Sequence, residues 1–407
     1  MKKVFALLLA AMMVVTMFAG CGSSTPAADA PAADAPVADA PAADAPAADA
    51  PAALKIGMTG PLTGGAAVYG TAVEAGIEIA VEEINEAAAE NGGLTLAFQS
   101  QDDEADGEKA VSGYNVLKDW GMQVFIGTVT SGACNAVAPE TVTDEMFLLT
   151  PSASAPEVAT AGANTYQMCF TDPNQGATAA EIVAANWADA KIGVIYDSSD
   201  DYSTGLYDGF MSKAAELNLN VVCETSFTAD TKTDLTTQVT QCKDAGADLV
   251  CLPIYYTEAS LILTYANKIG YEPAYVGCDG MDGILDVEGF DVTLAEGLVL
   301  ITPFDATSSD EATQSFVAKY TEKTGSVPNQ FAADAYDCVY AVYNACVAAG
   351  VTADMSPADI CAVLIEQFNE MTFNGLTGSN MTWDEEGMIS KTPITVVIKN
   401  GVYAPMS

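Results

Sequence analysis

The sequence predicts an α/β protein built from two Rossmann-like lobes, and three observations predict it. Short apolar runs recur along the chain and end in Gly, Pro, Asp or Ser, as buried parallel strands do. Segments with a helical apolar stripe separate those runs. After Phe170-Thr171-Asp172-Pro173 the alternation starts again, so the chain holds two β-α series and not one.

In order, the expected strands are Lys55 to Met58, Leu94 to Phe98, Val124 to Ile126 and Phe147 to Leu149 in the first series. Ile192 to Tyr196, Leu249 to Leu252 and Ala274 to Val276 follow in the second. Helical stripes are carried by Val73, Ile77, Val81 and Ile84, by Leu235, Val239 and Cys242, and by Ala259, Ile262, Ala266 and Ile269. Each stripe is spaced to cover a sheet, which makes it core. In open α/β sheets ligands sit beyond the carboxyl ends of the strands, so the residues just after each strand are the informative ones.

The 407 residues carry a formal charge of −41, and half are apolar, enough for a packed core. All 14 cations are Lys; there is no Arg and no His. That excludes an imidazole base, a His-built metal site and a guanidinium clamp for phosphate or carboxylate. A chain so acidic is repelled by nucleic acid and by anionic membrane surfaces. Neither catalytic residues nor metal ligands nor a cofactor are expected. No G-x-S-x-G occurs, and the acidic pair Asp102-Asp103 reads as a solvated turn with no electrophile beside it.

Residues 1–20 read as a secretory signal: Lys2 and Lys3, then the apolar run Val4 to Met17, then Phe18-Ala19-Gly20 before Cys21. The run is shorter than the ~20 residues of a membrane span. Small residues followed by Cys resemble the bacterial lipobox, which implies lipidation of Cys21. Residues 21–53 continue as an Ala-Ala-Asp-Ala-Pro repeat with Asp29, Asp34, Asp39, Asp44 and Asp49 between prolines, a composition that favours an extended, solvated spacer. The remaining organisation is read as a first lobe of 54–171 plus 303–392 and a second of 172–302 plus 393–407.

The strand ends carry a family likeness. Ile56-Gly57-Met58-Thr59-Gly60-Pro61-Leu62-Thr63-Gly64 with Tyr69-Gly70 opens it. Asp102-Asp103, Phe125-Ile126-Gly127 with Ser131, and Thr150-Pro151-Ser152-Ala153-Ser154 continue it. Val194-Ile195-Tyr196-Asp197 with Tyr202, Ala247-Asp248-Leu249-Val250, Gly277-Cys278-Asp279-Gly280, Gly375-Leu376-Thr377-Gly378 and Trp383-Asp384-Glu385-Glu386-Gly387 complete it. In this order and behind such a leader, they resemble the periplasmic leucine/isoleucine/valine-binding family of ABC-importer solute-binding proteins. The resemblance implies the type I periplasmic-binding-protein fold, with two lobes joined by three hinge crossings and a cleft that closes on ligand. It also implies delivery to an ABC permease by a monomer held to the membrane only through its lipid.

Carried over residue by residue, the resemblance implies that Ser131, Ser152 and Ser154 hold a ligand carboxylate and that Asp279 holds its α-ammonium. Tyr69, Tyr202, Tyr255 and Tyr336 would wall the cleft; Tyr256 competes with Tyr255 for its position. The serines are equally suited to capping the helices that follow them, and Asp279 to a turn. The chain departs from the family in two places. Asp103-Glu104-Ala105 lacks the Cys of a disulfide found in several members, and Asp197-Ser198-Ser199-Asp200-Asp201 carries an extra residue beside Tyr202. The nine cysteines after Cys21 form no C-x-x-C, and most read as buried thiols. The expected function is capture of a small aliphatic amino acid for import. An amide, urea-like or aromatic-acid solute, or a sensing role through a partner receptor, are the alternatives.

Overall fold

The computed structural model describes residues 52–406. The expected leader, Cys21 and most of the spacer lie outside them.

The first sheet is made of β1 (Leu54–Gly60), β2 (Leu96–Asp102), β3 (Val124–Ile126), β4 (Leu148–Thr150) and β5 (Thr165–Gln167), all parallel in the order β2-β1-β3-β4-β5. Its connections are helices α1 (Ala67–Asn91), α2 (Gly107–Trp120), α3 (Ser131–Thr143) and α4 (Pro156–Ala159). The chain then crosses through Cys169-Phe170-Thr171 into α5 (Asp172–Asn186), where Pro173 in the first turn suits a helix start. Next come β6 (Lys191–Asp197), α6 (Asp201–Leu217), β7 (Asn220–Phe227), α7 (Thr236–Asp244), β8 (Leu249–Leu252), α8 (Tyr256–Lys268), β9 (Ala274–Gly277) and β10 (Val299–Thr302). A second crossing after Thr302 returns the chain to the first sheet, on which α9 (Glu311–Thr324), α10 (Gln330–Ala349) and α11 (Pro357–Glu370) lie. A third crossing at Lys391 leads into β11 (Ile394–Lys399) and β12 (Val402–Pro405). The second sheet runs β12-β11-β10-β9-β8-β6-β7, with β11 antiparallel to both of its neighbours. The type I periplasmic-binding-protein fold expected from the resemblance is the fold observed.

Five strands escape the sequence reading for identifiable reasons. β5 has only three residues, and β7 is an edge strand whose short apolar run Val221-Val222-Cys223 gives way to the polar residues Glu224-Thr225-Ser226. β10 is a four-residue buried strand set in a stretch of short 3-10 turns. The pair β11–β12 is a hairpin closed by Asn400-Gly401, both at positive φ (54° and 74°), the turn type that matches strand twist and that Asn-Gly favours. Expected strand ends also move: the second begins at Leu96, two residues late, and continues to Asp102 through polar residues.

Helix packing is close where glycine permits it. A Cβ on Gly76 in α1 would meet the Ala332 carbonyl oxygen of α10 at 2.2 Å, and one on Gly176 in α5 would meet that of Leu206 in α6 at the same distance. The two lobes are therefore each clamped by a helix pair in near backbone contact.

At the third crossing lies a buried ion pair. Lys391 Nζ is 2.6 Å from Asp334 on α10 and donates also to Thr377 Oγ1 at 2.7 Å, while Thr377 donates to Asp337 at 2.6 Å. Neither member of the pair reaches solvent. Burial still pushes the Asp334 carboxyl up to about 7, against the pull of Lys391. Because a lone buried charge costs more than a buried pair, Lys391→Met should destabilise the protein by ~3–5 kcal/mol, and the double variant Lys391→Met/Asp334→Leu should recover most of that loss. Urea unfolding of the three proteins measures both differences; a near-neutral single variant would show the pair to be dispensable.

Candidate functional site

The carboxyl ends of both sheets meet across an interlobe cleft, and the strand-end residues of both series gather there. Tyr69 enters from α1, Ser131 from the first position of α3, and Ser152 from the loop after β4. From the second lobe come Tyr202 near the start of α6, Tyr255 before α8 and Asp279 after β9. These six, with Val129, Thr130, Gly280 and Phe331, line a small cavity of about 10 Å³. A wider groove bounded by Ala66, Asp106, Asp200 and Glu258 adjoins it as the mouth, sharing Thr130 and Tyr255.

On the first lobe the cavity is lined with donors. Ser131 Oγ accepts the N–H groups of Ser154 and Ala155 at 3.1 and 3.2 Å, which leaves its own hydrogen to donate. Thr130, the N-cap residue of α3, has a buried hydroxyl with no partner among the described residues, and its side chain does not cap the helix. The first N–H groups of α3 open beside it, a ready place for an anion. Ser152 is the exception: it donates to the Val129 carbonyl at 2.7 Å, so its hydrogen is already used and it does not serve as the expected carboxylate donor. The serines thus cross-brace the loops after β3 and β4 and do not cap the following helices.

On the second lobe the cavity presents an acid. Asp279 is only 4% exposed and accepts the Tyr202 hydroxyl at 2.7 Å. Tyr202 oxygen in turn accepts the Gly280 N–H at 2.8 Å. Burial raises the Asp279 carboxyl to about 6, with the bonds from Tyr202 and Gln175 pulling the other way. No cation lies against it among the described residues.

Aromatic rings fill the space between. Tyr202 and Tyr255 stack at 4.8 Å with planes 5° apart, and Tyr69 lies 4.3 Å from Phe331. The Tyr255 hydroxyl is buried without a partner among the described residues. Tyr69 also joins the lobes, donating to the Gly280 carbonyl and accepting the Tyr256 N–H at 3.3 Å. Thr257 to the Gly65 carbonyl at 2.6 Å and Asn135 to Asp201 at 2.8 Å add two more bonds across the cleft.

Two expected residues stand apart from this cavity. Tyr336 donates to Glu83 at 2.6 Å beside Tyr340 and Lys319, on the face of α10 turned toward α1 and α9. Phe331, five residues earlier and so about 140° around the helix, takes the place at the cleft. Ser154 is fully buried and does not line the cavity, its hydroxyl without a partner among the described residues, and the Asp172 carboxyl is raised well above the usual range by burial. The choice between neighbouring tyrosines resolves by position: Tyr255 lines the cavity, whereas Tyr256 packs edge-on against Tyr69 at 4.8 Å and accepts the Val68 N–H. Thr130, Gln175 and Phe331 carry no signal in the sequence. Thr130 alone stands next to a residue that does. The acidic pair is not a solvated turn throughout. Asp102 is exposed and ties down Leu62 and Thr63, but Asp103 is fully buried and raised to about 7 by that burial.

A profile of the periplasmic binding protein family matches residues 53–401. The chain belongs to the periplasmic binding protein family. Such proteins are extracytoplasmic solute binders, not enzymes, and no helix among the described residues is long and apolar enough to cross a membrane. This periplasmic binding protein is 29% identical to a Leu/Ile/Val-binding protein homologue of Brucella melitensis over 303 residues, 74% of this chain and 80% of that one. Its fold is similar to that of a leucine-binding protein of Thermotoga maritima, with a TM-score of 0.76, 26% identity, and coverage of 87% of this chain and 98% of the other. It is similar also to a branched-chain amino acid transporter substrate-binding protein of Streptococcus pneumoniae solved with isoleucine: TM-score 0.77, 27% identity, coverage 86% and 97%.

The buried acids give a signed pH dependence. Asp103 and Asp282 are held up to about 7, and Asp200 and Asp279 to about 6, each first by burial. Between the ordinary carboxylate value and these, the folded protein binds more protons than the unfolded chain. The stability they contribute is complete at low pH and is lost as pH rises through about 6 to 7. Calorimetry without ligand should show the melting temperature falling from about pH 4 to about pH 7, and Asp279→Asn should flatten that slope.

Proposed function

We propose that this protein is the lipid-anchored substrate-binding component of an ABC importer and that it captures a small aliphatic α-amino acid in the interlobe cleft. The observation that carries the reading is one small cavity with anion-binding donors on the first lobe and a cation-less buried carboxylate on the second. An α-amino acid carries the complement of both. In this reading Ser131, Thr130 and the first N–H groups of α3 take the carboxylate, Asp279 takes the ammonium, and Tyr69, Tyr202, Tyr255 and Phe331 enclose an apolar side chain. A ligand with a second acid group finds no cation in the lining. The relatives named for leucine, isoleucine and valine support the aliphatic choice.

Because the ligand touches both lobes, it favours the closed arrangement by its differential affinity for it, and the three crossings are where the lobes turn. The leader over 1–20, the lipid on Cys21 and the acidic spacer would hold this binding unit outside the membrane, within reach of its permease.

Thermal unfolding of residues 54–407 against amino acids, amides and aromatic acids tests the reading. A ligand at 100 times its dissociation constant stabilises by ~2.7 kcal/mol. A shift confined to aliphatic amino acids supports it, and a shift with amides or aromatic acids alone refutes the ammonium site. Asp279→Ala should weaken amino-acid binding by more than ~2 kcal/mol, since an enclosed ammonium loses its partner. Affinity should also fall as pH drops below about 6, because Asp279 must release its proton to bind a cation; calorimetric titration at several pH values measures both effects.

A further inference from the structure

All nine cysteines of the described residues are free thiols, and eight are buried. Cys223 is the partly exposed one, and its sulfur lies 3.4 Å from that of Cys242. The approach is built by three local features. In β7 a register shift places Cys223, not Val222, opposite Gly193 of β6. On the same strand, Gly193 has no side chain, and a Cβ there would meet the Cys242 sulfur at 2.8 Å, so the glycine admits that thiol to the sheet surface. The α7 stripe Leu235, Val239 and Cys242 packs down onto the sheet and holds Cys242 fully buried beside Cys223. Two thiols nineteen residues apart in sequence are thus aligned by a bulge, a glycine and a helix face.

We propose that Cys223 and Cys242 form a reversible disulfide by exchange with a low-molecular-weight disulfide. The partly exposed Cys223, as thiolate, attacks one sulfur of the small disulfide and releases one small thiol, giving a mixed disulfide on Cys223. Cys242 then loses its proton and attacks the Cys223 sulfur, releasing the second small thiol and closing the protein disulfide. Two protein thiols are oxidised and one small disulfide is reduced to two thiols. Burial and the neighbouring sulfur hold the Cys242 thiol well above its ordinary range, so the second step is the slow one and quickens as pH rises. The bond closes the loop that carries Phe227, Ala229 and Lys232, which line the cleft mouth, where Lys232 lies 3.6 Å from Glu258. It therefore staples one wall of that mouth to the second sheet.

The test uses the full chain, purified reduced and exposed to oxidised glutathione at several pH values. The expected result is loss of two titratable thiols, a non-reducing peptide map joining the Cys223 and Cys242 peptides, and recovery of both thiols with dithiothreitol. The rate should rise with pH, and Cys223→Ser should abolish the loss of both thiols while leaving the melting temperature of the reduced protein within a few degrees. A glutathione adduct that persists on Cys223, a cross-link between other cysteines, or two unreacted thiols at these positions would overturn the proposal. The mapping needs no variant, so a Cys223→Ser protein that failed to fold would leave it decided by the wild type.

Discussion

A carboxylate taken out of water with no cation beside it sets the terms for the rest of this molecule. Asp279 sits at the carboxyl end of β9, almost wholly enclosed, and the chain has neither Arg nor His to pair with it. The buried Lys391 is already committed to Asp334 at the third crossing. Desolvation disfavours the ionised form of an isolated carboxyl, which is why this one titrates far above the ordinary carboxylate range. Hydrogen bonds hold it in place. Tyr202 donates to its side chain, Gln330 donates to its carbonyl at 3.0 Å, and its N–H reaches Gln175 at 3.1 Å. Those three partners come from α6, α10 and α5, so one residue gathers elements of both lobes.

The aromatic layer follows from the same constraint. An uncompensated acid is best kept from water by groups that are apolar in bulk and polar at the tip, and tyrosine supplies both. Tyr202 spends its hydroxyl on Asp279, Tyr69 spends its own on the backbone at Gly280, and Tyr255 stacks behind Tyr202. The unspent groups are informative. Thr130 and Tyr255 keep buried hydroxyls without partners among the described residues, although buried polar groups are normally satisfied. Both lie at the cavity.

Acidity elsewhere is handled by the ordinary means of a protein surface. Asp106 and Asp310 accept an N–H at the starts of α2 and α9, where a negative charge also suits the helix dipole. Asp102 fastens the loop after β1, and Glu83 takes Lys319, Tyr336 and Tyr340 together. That last cluster explains why Tyr336 is absent from the cleft: its hydroxyl has a charged acceptor on α1, and the helix phase carries it away from Phe331.

What the sequence by itself determined is whatever depends on local order. Runs of β-branched and aliphatic residues broken by Gly, Pro and Asp marked seven strands, the stripe Val73 to Ile84 marked α1, and chain direction marked the strand ends as the ligand side, while the family resemblance, not local order, picked out Tyr69, Ser131, Ser152, Tyr202 and Asp279 there. Short or half-exposed strands such as β5 and β7 stayed hidden, since their apolar pattern is completed by neighbours distant in the chain. The tertiary structure alone decided that Thr130 and Phe331 reach the cavity, that Ser154 and Tyr336 do not, that Tyr255 and not Tyr256 lines it, and that Asp103 is buried. Each of those depends on helix phase and on how two separately wound lobes meet, and a solvation energy such as that of Asp279 exists only once residues from both have displaced the water around it.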